Sequence, residues 1–283
     1  MRSYLECIPC FFDQALRAGK IATGDEKLLK RILDELGAML SQVSLESTPP
    51  ETGRLVYRIV REITGNADPY RKLKIESTQH ALALYPSLKR TIEKSNDSLL
   101  TAIRIAIAGN VIDFGASDSF DIDAAIKETL DKDFAVCDYS AFKRYLTTAK
   151  RILYIGDNAG ETVFDRLLIE QLKKPVVYVV RETPVINDAT TEDAVLAGID
   201  RVARIVSSGT DAPGTILSIC SPEFIQLLDG YEFVIAKGQG NYEGLSNDNR
   251  QLFFLLKTKC QIIADDIGVI KGDIVLKGIN TST

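Results

Sequence analysis

The chain has 283 residues, of which 45% are apolar and 26% charged, as in an ordinary globular protein with one large domain or two smaller ones. Its net charge of −5 excludes an overall basic field that would attract nucleic acid or an anionic membrane. The longest apolar segment, residues 102–116, is interrupted by polar side chains and is shorter than the roughly 20 residues of a membrane span. The amino terminus lacks the clean apolar stretch of a secretory signal, so we expect a cytoplasmic protein with neither nucleic acid nor membrane as a partner.

The first predicted helix carries Cys7 and Cys10, the only pair among five scattered cysteines that forms a C-x-x-C motif. A tetrahedral zinc site would need a second such pair. The two cysteines either pack in the core or form a local disulfide, or they have a metal or redox role. The single histidine, His80, lies in a later predicted helix and is expected to be a surface or packing residue. Any metal would therefore be held mainly by oxygen ligands, which favours Mg²⁺ or Mn²⁺.

Residues 1–148 are predicted to form an all-helical subdomain. In residues 23–43, for example, leucine, isoleucine, methionine and valine recur at helical spacing. Thr23 and Thr48 each precede a glutamate by three positions, which is the pattern of a capping box at a helix start. No strand-like apolar run bounded by turn residues is recognised before Arg151.

Residues 149–283 alternate short β-rich runs with helical ones. Continuous apolar strands that alternate with helices predict an α/β unit, with a mostly parallel sheet covered on both faces. We expect this unit to share one cleft with the helical subdomain. The predicted strands are residues 151–155, 175–180, 201–206, 232–236 and 260–264.

Polar residues follow each predicted strand. Ligands bind outside the carboxyl ends of parallel strands, so these groups are expected along one edge of the sheet. Carboxylates and amides beside Arg181 and Lys237 suit a metal-bound anion, with oxygens for the ion and cations for a phosphate. Alone, Asp157 or Asp188 could simply cap a helix, but the joint pattern favours a site. The polar groups are residues 156–158, 181–188, 207–211, 237–241 and 265–266, with glycines at 156, 160, 238 and 240 that let backbone approach a ligand closely.

Two further polar pairs are candidates. Asn110 and Asp113 interrupt the apolar segment IAIAGNVIDFG at helical spacing. An unpaired buried carboxylate is costly, so Asp113 is expected either to make a structural hydrogen bond or to line the cleft. Lys257 and Lys259 are predicted on one face of a strand, from which one of them could reach an anion.

The segments GDNAGE, PVINDAT, KGQGNYEG, GNVIDFG and CIPC together resemble the damage-control phosphatase family, long catalogued as domain of unknown function 89. The early cysteine pair is similar to that of the branch found in archaea and some bacteria. The resemblance implies a three-layer α/β/α sandwich joined to a helical subdomain. It also implies divalent-metal-dependent hydrolysis of phosphate monoesters of small metabolites, with Mg²⁺ or Mn²⁺ expected and Co²⁺ or Ni²⁺ as further candidates.

The resemblance also implies roles for individual residues. The family's metal ligands correspond to Asp157, Asn158 and Asp188. The nucleophile is either a metal-activated water or the carboxylate of Asp157 or Asp188. Glu161 varies among branches, so no role is carried over to it. The predicted substrate-binding residues are Asn110, Asp113, Arg181, Lys237, Gly238 and Asn241.

Two functions from other classes remain open. The first is an S-adenosylmethionine-dependent carboxyl methyltransferase, in which Glu182 would hold the ribose, although the turn GDNAG lacks the usual G-x-G spacing. The second is a non-catalytic protein that binds a metal or a phosphorylated metabolite through the same loops. A haloacid-dehalogenase-type phosphatase is disfavoured because no D-x-D follows the first predicted strand. The expected partner is a small phosphorylated metabolite, and the sequence indicates no particular oligomeric state.

Overall fold

The computed structural model describes residues 1–109 and 122–281. Helix α3 begins with the predicted capping box, in which the N–H of Thr48 donates to the Glu51 carboxylate at 2.6 Å. The capping box predicted at Thr23 is wrong, because α2 is capped by Asp25, whose carboxylate accepts the N–H of Lys27. The helices of this part are α1 (Cys7–Ala22), α2 (Glu26–Leu40), α3 (Pro49–Thr64), α4 (Arg71–Lys94) and α5 (Ser98–Gly109).

The described residues form one seven-stranded sheet with the order β1-β7-β6-β5-β2-β3-β4. All neighbouring strands are parallel except β6 and β7, so the predicted mostly parallel α/β architecture is confirmed. The strands are β1 (Phe134–Cys137), β2 (Ile152–Ile155), β3 (Val176–Val180), β4 (Arg204–Ser207), β5 (Val234–Lys237), β6 (Leu252–Lys257) and β7 (Ile274–Ile279). The remaining helices are α6 (Ile122–Asp131), α7 (Tyr139–Thr148), α8 (Thr162–Leu172), α9 (Thr191–Leu196), α10 (Pro222–Asp229), α11 (Gly238–Leu245) and α12 (Gln261–Ile267).

Side chains alternate between the two faces of the sheet and produce three layers. Tyr154 of β2 points to the face covered by α4, α5, α7 and α8, whereas Leu153 and Ile155 point to the face covered by α10, α11 and α12. This is the period of two that a strand imposes. A third apolar cluster, which includes Phe11 and Leu36, joins α1, α2 and α3. The predicted three-layer sandwich is confirmed.

Several secondary-structure predictions are wrong. The segment CQIIA, predicted as a strand, contains the start of helix α12, and the strand of this region is β6. A short apolar run fits a buried helix and a buried strand equally well, so the sequence alone does not separate them. Strand β7 was also missing from the predicted strands. A further error concerns β1, which precedes Arg151 although no strand was predicted there. It is a four-residue edge strand with alternating half-buried and exposed residues, so it lacks a continuous apolar run.

The first half of the chain packs closely against the sheet. Helices α4 and α5 share one apolar cluster with β2, β3 and β5, so the buried core continues across residue 148. The buried ammonium of Lys74 on α4 contacts Asp68 and also Asp193 of α9, each at 3.0 Å. The division into units of residues 1–148 and 149–283 stays a prediction.

Within the described chain, none of the helices combines the length and apolarity that a membrane crossing requires.

Candidate functional site

The carboxyl ends of β6, β5, β2, β3 and β4 lie at one edge of the sheet, because these neighbouring strands are parallel. From β2 the strand order runs outward in two directions, through β3 to β4 and through β5 to β6. Such a reversal opens a crevice at the strand ends, where α/β proteins bind ligands. Four of the five predicted polar groups follow these strands. The fifth, Asp265 and Asp266, lies in α12 instead. The prediction that Lys257 and Lys259 share one face of a strand is wrong, because β6 ends at Lys257 and Lys259 follows it.

The loops after β2 and β3 bring Asp157, Asn158 and Asp188 together. Asn158 and Asp188 form an isolated antiparallel bridge. Beside it, the N–H of Ala189 donates to the carbonyl of Asp157 at 2.8 Å, and the N–H of Ala159 donates to the carbonyl of Asn187 at the same distance. The three predicted metal-binding side chains are therefore neighbours in space, although about thirty positions separate them in the chain. Their role as metal ligands stays a prediction.

A cleft of about 530 Å³ opens in front of these three residues. One wall comes from the helical part of the chain and includes Tyr57, Tyr70 and Leu73. Further lining residues come from the α/β part and include Gln239 and Lys259. The volume lies within the range of about 300–1,000 Å³ that small-molecule sites occupy. The cleft therefore has room for a phosphorylated metabolite beside the three predicted ligands.

Hydrogen bonds fix which atoms of the predicted ligands face the cleft. The amide nitrogen of Asn158 donates to Asp157 Oδ2 at 3.2 Å and to Glu161 Oε2 at 3.1 Å, which leaves the Asn158 oxygen as the atom that can face a cation. The guanidinium of Arg181 donates through Nε to Asp188 Oδ2 at 2.8 Å, so Oδ1 is the oxygen of Asp188 that can turn to a cation. The arrangement offers oxygen atoms from two carboxylates and one carboxamide.

Burial makes these carboxylates hard to ionise. It raises the pKa of Asp157 well above its ordinary value, and the charges of Asp188 and Glu161 raise it further. The pKa of Asp188 is also raised by burial, although Arg181 acts in the opposite direction. Two buried carboxyl groups that repel one another are the electrostatic setting in which a bound cation is most favourable.

A buried ion-pair network lies beneath the predicted ligands. Lys237 is fully buried, and its ammonium donates to Glu161, to Asp165 Oδ1 at 2.6 Å and to the carbonyl of Ala106 at 2.9 Å. Burial alone lowers the pKa of Lys237, but the two carboxylates outweigh this effect and the pKa is raised. Burial raises the pKa of Asp165 to about 6, with Lys237 opposing the shift. In the described chain, the cleft lining does not include Lys237, so its predicted contact with substrate stays a prediction.

The other predicted substrate-binding residues are also below the cleft or outside the described chain. Arg181, which is 1% exposed, donates to Asn241 Oδ1 at 3.1 Å. Asn241 in turn donates to the carbonyl of Gly156 at 3.0 Å, and Gly238 begins α11 with a φ of 75°. The remaining two, Asn110 and Asp113, lie outside the described residues. Direct contact of these residues with a substrate stays a prediction.

The donor set fits a hard divalent cation. Within residues 1–109 and 122–281, no cluster of three His, Cys, Asp or Glu side chains is arranged to hold a metal, so the candidate set is the two carboxylates and the carboxamide. The buried groups at this edge comprise four carboxyl groups and two cationic side chains, and a divalent ion bound there would favour the ionised form of the carboxyl groups, which burial disfavours. They are Asp157, Glu161, Asp165 and Asp188 against Arg181 and Lys237. Oxygen donors of this kind, completed by water, suit Mg²⁺ or Mn²⁺.

Comparison with known proteins identifies the family. The family model described as "Damage-control phosphatase ARMT1-like domain" matches residues 3–275. The chain belongs to the damage-control phosphatase family. A damage-control phosphatase of Pyrococcus horikoshii, PH1575, is 34% identical over 97% of each chain, and one of Archaeoglobus fulgidus is 32% identical over 96% of this chain and 97% of the relative. An uncharacterized protein of Methanocaldococcus jannaschii is 38% identical over 96% of this chain and 93% of its own.

The fold of this damage-control phosphatase family member is also that of a solved relative. The crystal structure of a DUF89 family protein from Pyrococcus horikoshii, PH1575, matches with a TM-score of 0.89 at 33% identity and covers 98% of both chains. The resemblance first seen in five short segments is therefore confirmed over nearly the whole chain.

For some residues of this family member, the sequence did not indicate a role or indicated one that differs from the contacts in the structure. Asp165 was not singled out, although an aspartate one helical turn after Glu161 in the apolar run VFDRLL is a signal of a buried polar partner. The glycine at position 156 makes room for Tyr178 rather than for a ligand, since an added Cβ would lie 2.5 Å from the tyrosine oxygen. All five cysteines, each within the described residues, are free thiols, and Cys7 and Cys10 line the cleft.

Proposed function

We propose that the protein is a divalent-metal-dependent phosphatase that hydrolyses phosphate monoesters of small metabolites. The observation that carries this proposal is the convergence of Asp157, Asn158 and Asp188 at the floor of a cleft of about 530 Å³. The family supports the reaction class, since two relatives are named damage-control phosphatases. The surplus of buried carboxyl groups over buried cationic side chains supports a divalent cation at this place.

Different residues of the chain would have different roles in such a site. Asp157, Asp188 and the Asn158 oxygen would hold Mg²⁺ or Mn²⁺, and the bound ion would polarise the phosphoryl group as a Lewis acid. Arg181 orients Asp188 by holding Oδ2. Lys259, on the cleft wall, lies close enough to lower the pKa of Asp157 and of Asp188, so its ammonium adds the cationic donor that a phosphate needs.

The structure gives no specific support to the methyltransferase alternative. Glu182, which would hold the ribose, is exposed, and in the described chain the cleft lining does not include it. A non-catalytic protein would use the same loops, so turnover is the property that separates it from the phosphatase.

A screen of phosphate monoesters with Mg²⁺, Mn²⁺, Co²⁺ and Ni²⁺ tests the proposal, and Asp157→Ala is the decisive variant. Because Asp157 supplies one of the two carboxylates at the cleft floor, we expect the variant to lose metal-stimulated hydrolysis while its circular dichroism spectrum is unchanged. Asp34→Ala, on the exposed part of α2, is the matched control and should retain full activity. Metal binding without turnover of any ester in the wild-type protein would favour the non-catalytic alternative.

A further inference from the structure

We propose that Glu161 is a positioning residue that, held by Lys237, orients the carboxamide of Asn158 so that its oxygen faces the cation site. This inference rests on the proposed metal site. It gives a role to a side chain for which the sequence supplied none, and it assigns to Lys237 a task other than contact with the substrate.

Glu161 is placed to act inside the protein and not on a ligand. It is 1% exposed, and the described cleft lining does not include it. It is the N-cap residue of α8, a position whose side chain commonly accepts a backbone N–H of the first turn. Among the described residues its side chain makes no such capping bond, and the carboxylate turns instead to Asn158 and Lys237.

The chemistry of Glu161 determines which end of Asn158 faces the cleft. The oxygen and the nitrogen of a carboxamide have nearly the same shape, so only the neighbouring groups decide their orientation. An ionised carboxylate accepts hydrogen bonds and donates none. Glu161 Oε2 therefore selects the nitrogen of Asn158, at 3.1 Å, and Asp157 Oδ2 does the same at 3.2 Å. The Asn158 oxygen is left to face the cation.

Lys237 keeps Glu161 in this orientation. An ammonium has three donors, and Lys237 Nζ has three acceptors in Glu161, Asp165 and the carbonyl of Ala106. Asp165 is itself fixed by the hydroxyls of two tyrosines, each at 2.7 Å, on β2 and β3. Buried ion pairs contribute little net stability but hold one geometry when every partner is satisfied. The network therefore connects the sheet to the orientation of a single metal-ligand side chain.

The central experiment measures the affinity for Mn²⁺ alone by calorimetry, with no substrate present. In Glu161→Gln the new amide nitrogen faces either the ammonium of Lys237 or the nitrogen of Asn158. Contact of the new amide nitrogen with the ammonium of Lys237 is repulsive, so the nitrogen faces Asn158. Asn158 then turns its oxygen toward the new amide to accept a hydrogen bond, and its nitrogen faces the cation. We expect the dissociation constant for Mn²⁺ to rise about 10- to 100-fold, the usual effect of losing a partner of a metal ligand.

Glu170→Gln is the matched control. It is the same substitution on the same helix, α8, and it also removes a carboxylate from a lysine, but the lysine is Lys89 and Glu170 lies outside the network of Lys237. We expect its dissociation constant for Mn²⁺ to stay within about threefold of the wild-type value, well below the usual effect at a partner of a metal ligand. Thermal denaturation of both variants verifies that they are folded.

A double variant tests the hydrogen bond itself. Combining Asn158→Asp with Glu161→Gln restores the net charge and reverses the polarity of the bond, because the introduced amide donates to the introduced carboxylate. We expect the double variant to bind Mn²⁺ about tenfold more tightly than Glu161→Gln, and more tightly than Asn158→Asp, in which two carboxylates face each other. If Glu161→Gln does not fold, the comparison of the double variant with Asn158→Asp carries the test.

The outcomes separate the inference from the proposed function. Wild-type protein that fails to bind Mn²⁺ would overturn the metal site itself. Wild-type protein that binds Mn²⁺, together with an unchanged affinity in Glu161→Gln, or with equal losses in Glu161→Gln and Glu170→Gln, would overturn the positioning role and leave the metal site intact. Strictly additive effects in the double variant would do the same.

Discussion

The carboxyl group of Glu243, which lines the cleft, is a weaker acid than an ordinary glutamate. Burial raises its pKa to about 7, against a hydrogen bond from Gln239 and the charge of Lys259. The folded state thus binds this proton more tightly than the unfolded state does, so the contribution of Glu243 to stability is fully present below about pH 4.5 and is lost as the pH rises through about 7. The neutral variant Glu243→Gln avoids this loss.

We expect Glu243→Gln to raise the free energy of unfolding at pH 8 by roughly 1–3 kcal/mol, because an ionised carboxylate is no longer buried there. At pH 4.5 the wild-type side chain is already neutral, so the two proteins should be nearly equal. Denaturant unfolding at both pH values measures the difference. Equal gains at the two pH values would show that ionisation of Glu243 is not the cause.

The five cysteines should differ in their reaction with iodoacetamide. Cys10 and Cys137 are exposed. Burial raises the pKa of Cys7 and of Cys260, and it raises that of Cys220 to about 11. Since the thiolate is the reactive form, the two exposed thiols should be labelled first at pH 8. Peptide mass spectrometry of a time course gives the order, and early labelling of Cys220 would contradict it.

At the scale of single residues, the sequence predicts which site residues lie together better than it predicts which way their side chains point. Asp157, Asn158 and Asp188 could be placed together because each follows a parallel strand, and such strands end at one edge. Lys237 follows the same rule, yet its ammonium is enclosed by Glu161 and other acceptors beneath the cleft. Whether a side chain points into the cleft or away from it depends on packing between layers, which no local pattern contains.

At the scale of elements, the start of α3 can be tested separately from the site. The Thr48 hydroxyl accepts the N–H of Glu51, and the Glu51 carboxylate accepts the N–H of Thr48. We expect Thr48→Ala to lower the free energy of unfolding by about 0.5–2 kcal/mol, because a helix N–H loses its partner. Thr48→Ser keeps the hydroxyl and should lose little. Denaturant unfolding compares the variants, and an equal loss in both would mean that the methyl group, not the cap, is responsible.

Long amphipathic helices and central strands were predictable because their patterns extend over many residues. The errors concern elements of four to seven residues: helix α12 was predicted as a strand, and β1 and β7 were missed. In such short segments the apolar residues do not distinguish a period of 2 from one of 3.6. Only the neighbours supplied by the fold decide between them: α12 covers one sheet face, and β1 pairs with β7.

At the scale of the whole molecule, helix α4 and the loop that carries the predicted metal ligands are in close contact. A Cβ added at Gly160 would lie 2.8 Å from the Cβ of Ser77. We expect Gly160→Ala to lower the free energy of unfolding by about 1–3 kcal/mol, the usual cost of overpacking. Ser77→Gly removes the opposing Cβ, so the double variant should recover part of the loss. Denaturant unfolding of the single and double variants measures this, and purely additive losses would contradict the proposed contact.

The strand order has a consequence for the way the protein is made. In the described sheet β1 has one neighbour, β7, which is the last strand in the sequence and lies between β1 and β6. A nascent chain leaving the ribosome therefore exposes Phe134–Cys137 without a strand partner until Ile274–Ile279 has also emerged. Completion of the sheet has to wait until β7 has been synthesised, and a chain interrupted before that point would present an unpaired β1 and the open edge of β6 to chaperones and proteases.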